Sequence, residues 1–208
     1  PTLAAWAMYM MAGDGEPGQH VFFAAKDGQQ SREIAGKHAV EMLERSEELL
    51  SECTINRTLC QITHEPSRSN MRPLSSSNSR TQKSKEGLNG SVFIDETHVV
   101  DREYVSRLSR AGISRKEPVF CEFSTAGDDP DSYGRSRFEY AEKVSRGDLD
   151  DQSLMVAIHA APQDLTPAQL DADPLKYGYM ANPAMGHTVG EEEYLADYQK
   201  SKHSAREL

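Results

Sequence analysis

The sequence predicts an α/β fold: a mostly parallel sheet flanked by helices, followed by a helical, loop-rich connector. Three observations predict it. Short apolar runs at residues 20–25, 91–96, 119–123 and 154–159 alternate with segments of helical spacing as far as about residue 160, the order that builds layered parallel sheets. Two of those runs end in residues with chemistry to offer, Asp95-Glu96 and Ser124-Thr125, and open α/β sheets place ligands just beyond the carboxyl ends of their strands. Beyond residue 160 the chain turns acidic and its patterning becomes helical or loop-like.

The elements follow in order. Leu3, Trp6, Ala7 and Met10 recur at helical spacing, and the Gly-Asp-Gly-Glu-Pro-Gly turn at residues 13–18 stops that helix. This turn matches the GxGxxG dinucleotide fingerprint in the wrong context. It follows a helix, precedes a strand, and carries Asp14 and Glu16, which repel phosphate; it is a loop. Residues 20–25 are a strand, and residues 29–45 a helix with Ile34, His38 and Met42 on one stripe, joined by Ala35 and Leu43. Residues 58–63 are a further strand candidate. Residues 66–86 hold seven serines, two prolines and almost no apolar side chains, the composition of a loop or hairpin. After the strand at 91–96, Tyr104, Val105 and Leu108 mark a helix ending near Gly112, and residues 118–123 form the next strand. Phe138, Ala141 and Val144 mark a helix over 131–146, ended by Gly147, before a strand at 154–159. Thr166-Pro167 is an N-cap with proline at the first helical position. Thr188 and Glu191 fit a capping box. The acids Glu191, Glu192 and Glu193 at that start, with Lys200 and Lys202 at the far end, suit the helix dipole.

A chain of 208 residues fits one domain or one plus part of a second, here a core over 1–160 and a connector over 161–208. Its hydrophobic content of 37% and charged content of 27% are those of a soluble globular protein on the polar side. No apolar stretch is long enough to cross a bilayer, and residues 3–12 lack the length and basic flank of a signal peptide. Cys53, Cys60 and Cys121 show no CxxC pattern and cannot all pair, so reduced thiols are expected. The seven histidines are not spaced as zinc ligands. The net charge is −10, and most of it lies in residues 127–208, with 16 acidic against 8 basic side chains. Residues 66–86 run the other way: Arg68, Arg72, Arg80, Lys83 and Lys85 face Glu86 alone. An acidic whole does not exclude nucleic-acid binding, because phosphates respond to local patches.

The chemistry is concentrated at residues 95–96 and 124–125. A buried strand ending in Asp-Glu, followed by one ending in small hydroxyls, is what nucleoside-triphosphate hydrolysis requires. Asp95 can hold a water-ligated Mg²⁺, a hard cation that prefers oxygen. Neighbouring side chains on a strand point to opposite faces, so Glu96 faces elsewhere and can orient an attacking water. Ser124 and Thr125, one strand over, can sense the γ-phosphate. The plain alternative is that Asp95 and Glu96 only cap a strand. The phosphate-gripping GxxxxGK[ST] loop does not occur in the chain. Such a loop opens directly into an apolar helix, and residues 1–11 read as that helix, so the expectation is that the chain starts just after it.

On these residues the chain resembles the large terminase subunit of tailed bacteriophages. Pro1-Thr2-Leu3-Ala4-Ala5 is similar to the residues after that family's GK[ST]. The stretch Ala24-Ala25-Lys26-Asp27-Gly28-Gln29-Gln30 is similar to its Ala-rich strand end leading to a Gln. Residues 87–96 resemble its Walker B strand, and Ser124-Thr125-Ala126-Gly127 its coupling motif; Tyr140-Ala141 and Ala181-Asn182-Pro183 are similar as well. The resemblance implies a P-loop NTPase-like ATPase of the additional-strand, catalytic-glutamate kind, using ATP and Mg²⁺. Asp95 would be the magnesium carboxylate, Glu96 the catalytic glutamate, and Ser124 and Thr125 the link between γ-phosphate loss and movement. It further implies double-stranded DNA, a portal and a small terminase subunit as partners and a homo-oligomeric ring. The location it implies is the host cytoplasm, transiently docked on the procapsid and with no membrane step. Two departures are the P-loop and the family's C-terminal nuclease, neither of which is found in these residues. The chain as given is therefore expected not to hydrolyse ATP efficiently, and the residues after 160 would begin the connector to the nuclease.

Arg68, Arg72, Arg80 and Lys83 are candidates for DNA phosphates or for a neighbouring subunit's nucleotide, against the plain alternative of a solvated loop; Arg32 stands similarly. Two other functions fit parts of the chain. Asp95-Glu96-Thr97-His98 matches the box of a DExH nucleic-acid helicase, in which His98 would couple ATP to the nucleic acid, although such helicases need a second ATPase-like lobe. A non-catalytic binding module that keeps the fold is the other, and paired carboxylates at a sheet edge weigh against it.

Overall fold

The run His20–Ala24 (β1) has Val21, Phe22, Phe23 and Ala24 all buried, so it can only be a strand covered on both faces. It lies inside a six-stranded sheet. Ser69–Pro73 (β4) and Ser91–Ile94 (β5) flank it in parallel, and Phe120–Glu122 (β6) pairs parallel to β5. Cys53–Asn56 (β2) and Gln61–His64 (β3) form an antiparallel hairpin attached to β4, giving the order β2-β3-β4-β1-β5-β6. Of these six strands β3 alone runs against the rest. The computed structural model describes residues 1–74, 88–125, 127 and 129–202.

The helices sort by which face of the sheet they cover. Thr2–Ala12 (α1) and the continuous helical stretch Gly28–Ser31 (α2), Arg32–Gly36 (a π turn) and Lys37–Leu43 (α3) pack on the side of Val21, Phe23, Ile62, Met71 and Phe93. A short helix, Glu47–Ser51 (α4), precedes the hairpin. Arg102–Leu108 (α5) covers the other side, where Tyr104, Val105 and Leu108 meet Phe22, Ala24, Val92 and Ile94. Residues 22 and 23 therefore serve different cores, as strand alternation requires. Each such aromatic contributes roughly 1.5–3 kcal/mol by leaving water.

Tyr133–Arg146 (α6) follows β6 and ends at Gly147, whose φ is +78°. The chain divides into two compact units, residues 1–140 and 141–208. The second unit carries three further helices among loops: Pro167–Ala172 (α7), Pro174–Ala181 (α8) and Glu191–Ser201 (α9). Thr166 and Gln169 form a complete capping box at the start of α7. Asp171 accepts from the Tyr198 hydroxyl and pairs with Lys202 at 2.8 Å, tying α7 to α9.

Five expectations are corrected here. The segment 66–86 is not loop or hairpin throughout, because residues 69–73 are β4. Its Ser69 and Met71 are fully buried while Arg72 is exposed, an alternation too short to stand out among serines. The candidate strand at 58–63 is a turn followed by β3, and β2 starts earlier, at Cys53. In the long helix the buried face is Ala35, Ala39, Val40 and Leu43, with Met42 half-buried against it and His38 half-exposed beside Glu41; the Ile34 side chain lies outside the described residues. The π turn adds a residue to one turn and rotates everything after it. Residues 154–159 alternate between half-buried and exposed but form no ladder, since periodicity without a partner edge does not make a strand. Finally, α9 is capped by Gly190, with no side-chain bond from Thr188.

Candidate functional site

Strands β1, β4, β5 and β6 run the same way, so their carboxyl ends share one edge of the sheet. Ala25, Leu74, Asp95 and Phe123 come next after them along that edge. Asp95 extends the ladder by one residue, its N–H donating to the Ala24 carbonyl at 2.9 Å. One residue on, Glu96 takes φ 53° and ψ 50°, a left-handed conformation that is uncommon for a residue with a Cβ. Its own N–H donates to Asp95 Oδ1 at 3.1 Å. The two carboxylates are therefore separated by a left-handed turn and not, as strand alternation predicts, by the pleat of β5.

Thr97 and His98 join this turn to the tip of β6. The buried Thr97 donates twice to the Phe123 carbonyl, from its N–H at 3.2 Å and its hydroxyl at 3.3 Å. The His98 N–H donates to Ser124 Oγ at 3.0 Å. Its Nδ1 lies 3.1 Å from Ser124 Oγ, 3.4 Å from Thr125 Oγ1 and 3.1 Å from Glu96 Oε2. Of the residues expected to cooperate, Glu96, Ser124 and Thr125 thus meet around one imidazole, and Asp95 reaches this cluster only through the Glu96 N–H.

Two further groups support this edge. After β1, Asp27 caps α2 by accepting from the N–H groups of Gln29 and Gln30, both at 2.8 Å, and the buried Ser31 hydroxyl donates to the Phe23 carbonyl at 2.9 Å. At the end of β6, Glu122 accepts from the Tyr133 hydroxyl at 2.8 Å and from Arg137 Nε at 2.7 Å. Burial and then the Glu122 charge push the Tyr133 phenol well above its ordinary range.

The residues fit a hard cation. Burial pushes the Asp95 carboxyl up, and the Glu96 N–H draws it only part of the way back, so its charge is incompletely compensated by the protein. A cation beside it would offset that cost. The donors at hand are carboxylate and hydroxyl oxygens, and among the described residues no three His, Cys, Asp or Glu converge. Mg²⁺, which keeps several waters and takes one or two protein carboxylates, suits such a site; a closed metal cage does not.

Three of the basic candidates fall among the described residues. Arg68 is exposed in the turn before β4, with φ 58°, at the amino end of that strand and so at the opposite edge from Asp95. The Arg72 guanidinium stacks 5.4 Å from the Phe22 ring centre. Arg32 is exposed within the π turn, and Arg80 and Lys83 lie outside the described residues.

No family model matches the chain, and no curated protein matches it in sequence. Solved structures do match. The large terminase of bacteriophage HK97 superposes with a TM-score of 0.77 over 97% of this chain, at 16% identity. This is the fold of a bacteriophage large terminase. The large terminase of a thermophilic bacteriophage matches at a TM-score of 0.53 over 69% of the chain, at 17% identity. The same thermophilic-phage protein in complex with ADP matches at 0.50, also over 69% and at 15% identity. The chain spans 40% of the HK97 terminase and 34% of the thermophilic-phage terminase. Among the described residues, no helix is long and apolar enough to cross a membrane.

Two residues of this edge make contacts that the sequence does not show. His98 is the fourth letter of Asp-Glu-Thr-His, and its contacts to Glu96 and Ser124 appear only in the folded chain. Glu122 carried no signal, because a single acid in a three-residue strand is recognisable only once Tyr133 and Arg137 are folded onto it.

Proposed function

We propose that this chain is the ATPase portion of a viral DNA-packaging motor, a terminase large subunit that hydrolyses ATP to move double-stranded DNA into a procapsid. The observation that supports it best is the junction of two parallel strand tips, acids on one and hydroxyls on the other, joined through His98. The HK97 fold match and the ADP complex of the thermophilic-phage terminase support a nucleotide as the ligand.

In this reading Asp95 holds Mg²⁺, Glu96 orients a water and takes its proton, and Ser124 and Thr125 respond to the γ-phosphate end of the site. When bound, ATP with Mg²⁺ supplies the phosphoanhydride bond to be cleaved and the cation that neutralises charge as it breaks. The chain contains no GxxxxGK[ST], so its own side chains offer the cation and water ends of the site. Portal, small subunit, a homo-oligomeric ring and docking on the procapsid in the host cytoplasm belong to the same proposal.

The test is Mg²⁺-dependent ATP turnover of the protein encoded by the open reading frame that contains this chain. Glu96→Gln is expected to lower turnover about 10²–10⁴-fold, the usual worth of a positioned general base, with nucleotide affinity little changed. Unaltered turnover removes Glu96 from the role. The His98–Ser124 contact is also what a DExH helicase would show; unwinding of a partial duplex, with no transport along intact duplex, would favour that alternative.

A further inference from the structure

His98 touches three elements at once, and the donors and acceptors around it determine how. The Ser124 hydroxyl donates to the Thr125 carbonyl at 2.8 Å, so towards His98 its oxygen can only accept. The Glu96 carboxylate can only accept as well. Both lie at 3.1 Å from Nδ1, so the ring proton belongs on Nδ1. The other side of the residue is occupied by the start of α6. A Cβ added to Gly134 would come 2.4 Å from His98 Cα and 2.9 Å from its N, and one at Gly127, with φ +69°, 2.9 Å from His98 Cβ. Only glycine lets the first turn of α6 lie this close. That turn is also tied to β6 through Tyr133 and Arg137 on Glu122, and to α5 through Arg102, which bonds Ser136 Oγ at 2.9 Å.

We propose that His98 is a positioning residue that couples this site to α6. Its imidazole, hydrogen-bonded to Ser124 Oγ and with Nδ1 3.1 Å from Glu96 Oε2, keeps the Glu96 side chain beside the Ser124 hydroxyl, and its backbone, seated on Gly134, passes displacements of that cluster to the start of the helix. When Glu96 turns towards a water, it lengthens its contact with Nδ1, and the imidazole follows it or settles on Ser124. Either movement acts on backbone that α6 touches without any intervening side chain. The inference rests on the ATPase reading of Glu96 and names how that site reports its state.

The experiment compares wild type with His98→Ala, His98→Asn and His98→Gln in the protein encoded by the containing open reading frame. Asn presents a donor nitrogen where Nδ1 sits, whereas Gln presents it where Nε2 sits. His98→Ala is expected to lower kcat about 10- to 100-fold, the effect of misplacing a reacting group by about an ångström. KM and the Kd for a non-hydrolysable ATP analogue should stay within about two-fold. Asn should restore most of the turnover and Gln should not, a contrast that decides even if the Ala variant folds poorly. Hydrogen exchange over residues 133–140 should respond to the analogue in wild type and in the Asn variant, and stop responding in the Ala variant. Wild-type kcat in His98→Ala, equal turnover with Asn and Gln, or a surviving response at 133–140 overturns the inference alone. A wild type that neither binds nor hydrolyses ATP overturns the ATPase reading and this inference with it.

Discussion

Glu122→Gln tests whether the β6–α6 junction is held by charge. The Glu122 side chain is 11% exposed, and its two oxygens separately accept the Tyr133 hydroxyl at 2.8 Å and Arg137 Nε at 2.7 Å. Glutamine keeps the shape but offers one acceptor, so one donor now faces an amide NH₂. A hydrogen bond to a charged group contributes roughly 1.5–3 kcal/mol. Arg137 is one-third exposed, which screens its share, so the expected loss is about 1–2 kcal/mol. With a urea m-value of roughly 1–3 kcal/mol per molar, the unfolding midpoint should fall by about 0.3–2 M, followed by circular dichroism. Arg137→Met should cost a similar amount. The double variant should be little worse than either single one, because each removes the same pair, leaving a coupling energy of about 1–2 kcal/mol. The Tyr133 phenol should also titrate lower in Glu122→Gln. It should not return to its ordinary range, since burial is the larger cause of its rise. Strictly additive losses, or a midpoint shift within error, would refute the account of this junction.

Two other outcomes are expected. Burial, and after it the Glu122 charge, push the Cys121 thiol from 9.0 up to about 11. The stability this gives is present below pH 9 and lost as pH rises towards 11, and iodoacetamide should label Cys121 in the folded protein far more slowly than in urea at pH 9, as read by peptide mass spectrometry. On the packaging reading, Arg68→Gln with Arg72→Gln should weaken duplex DNA binding and reduce the slope of log affinity against log salt by about 0.9 for each phosphate that is no longer neutralised; an unchanged slope makes these residues bystanders.

Much of the first unit could be read along the chain because its signals are local. The run at residues 20–24 is buried on both faces, and the turn at residues 13–18 sits where the first helix must stop. The acids at 95–96 and the hydroxyls at 124–125 were legible for the same reason, each being a short group at the end of an apolar run. What could not be read that way depends on a partner distant in sequence. Strand β4 exists because Ser69 and Met71 find β1 and β3 on either side, whereas residues 154–159, with a similar alternation, find no ladder.

Composition and local pattern were thus enough to establish an α/β layered fold and the places of β1, β5 and β6 along the chain. Folding in three dimensions decided the rest: that Glu96 stands in a left-handed turn, that Thr97 and His98 bond it to the tip of β6, and that Gly134 brings α6 against them. The physical reason is range. Propensities and caps act over a few residues, but a bond between residues 98 and 124, or a missing Cβ at 134, has meaning only after parallel strands bring distant segments to one edge.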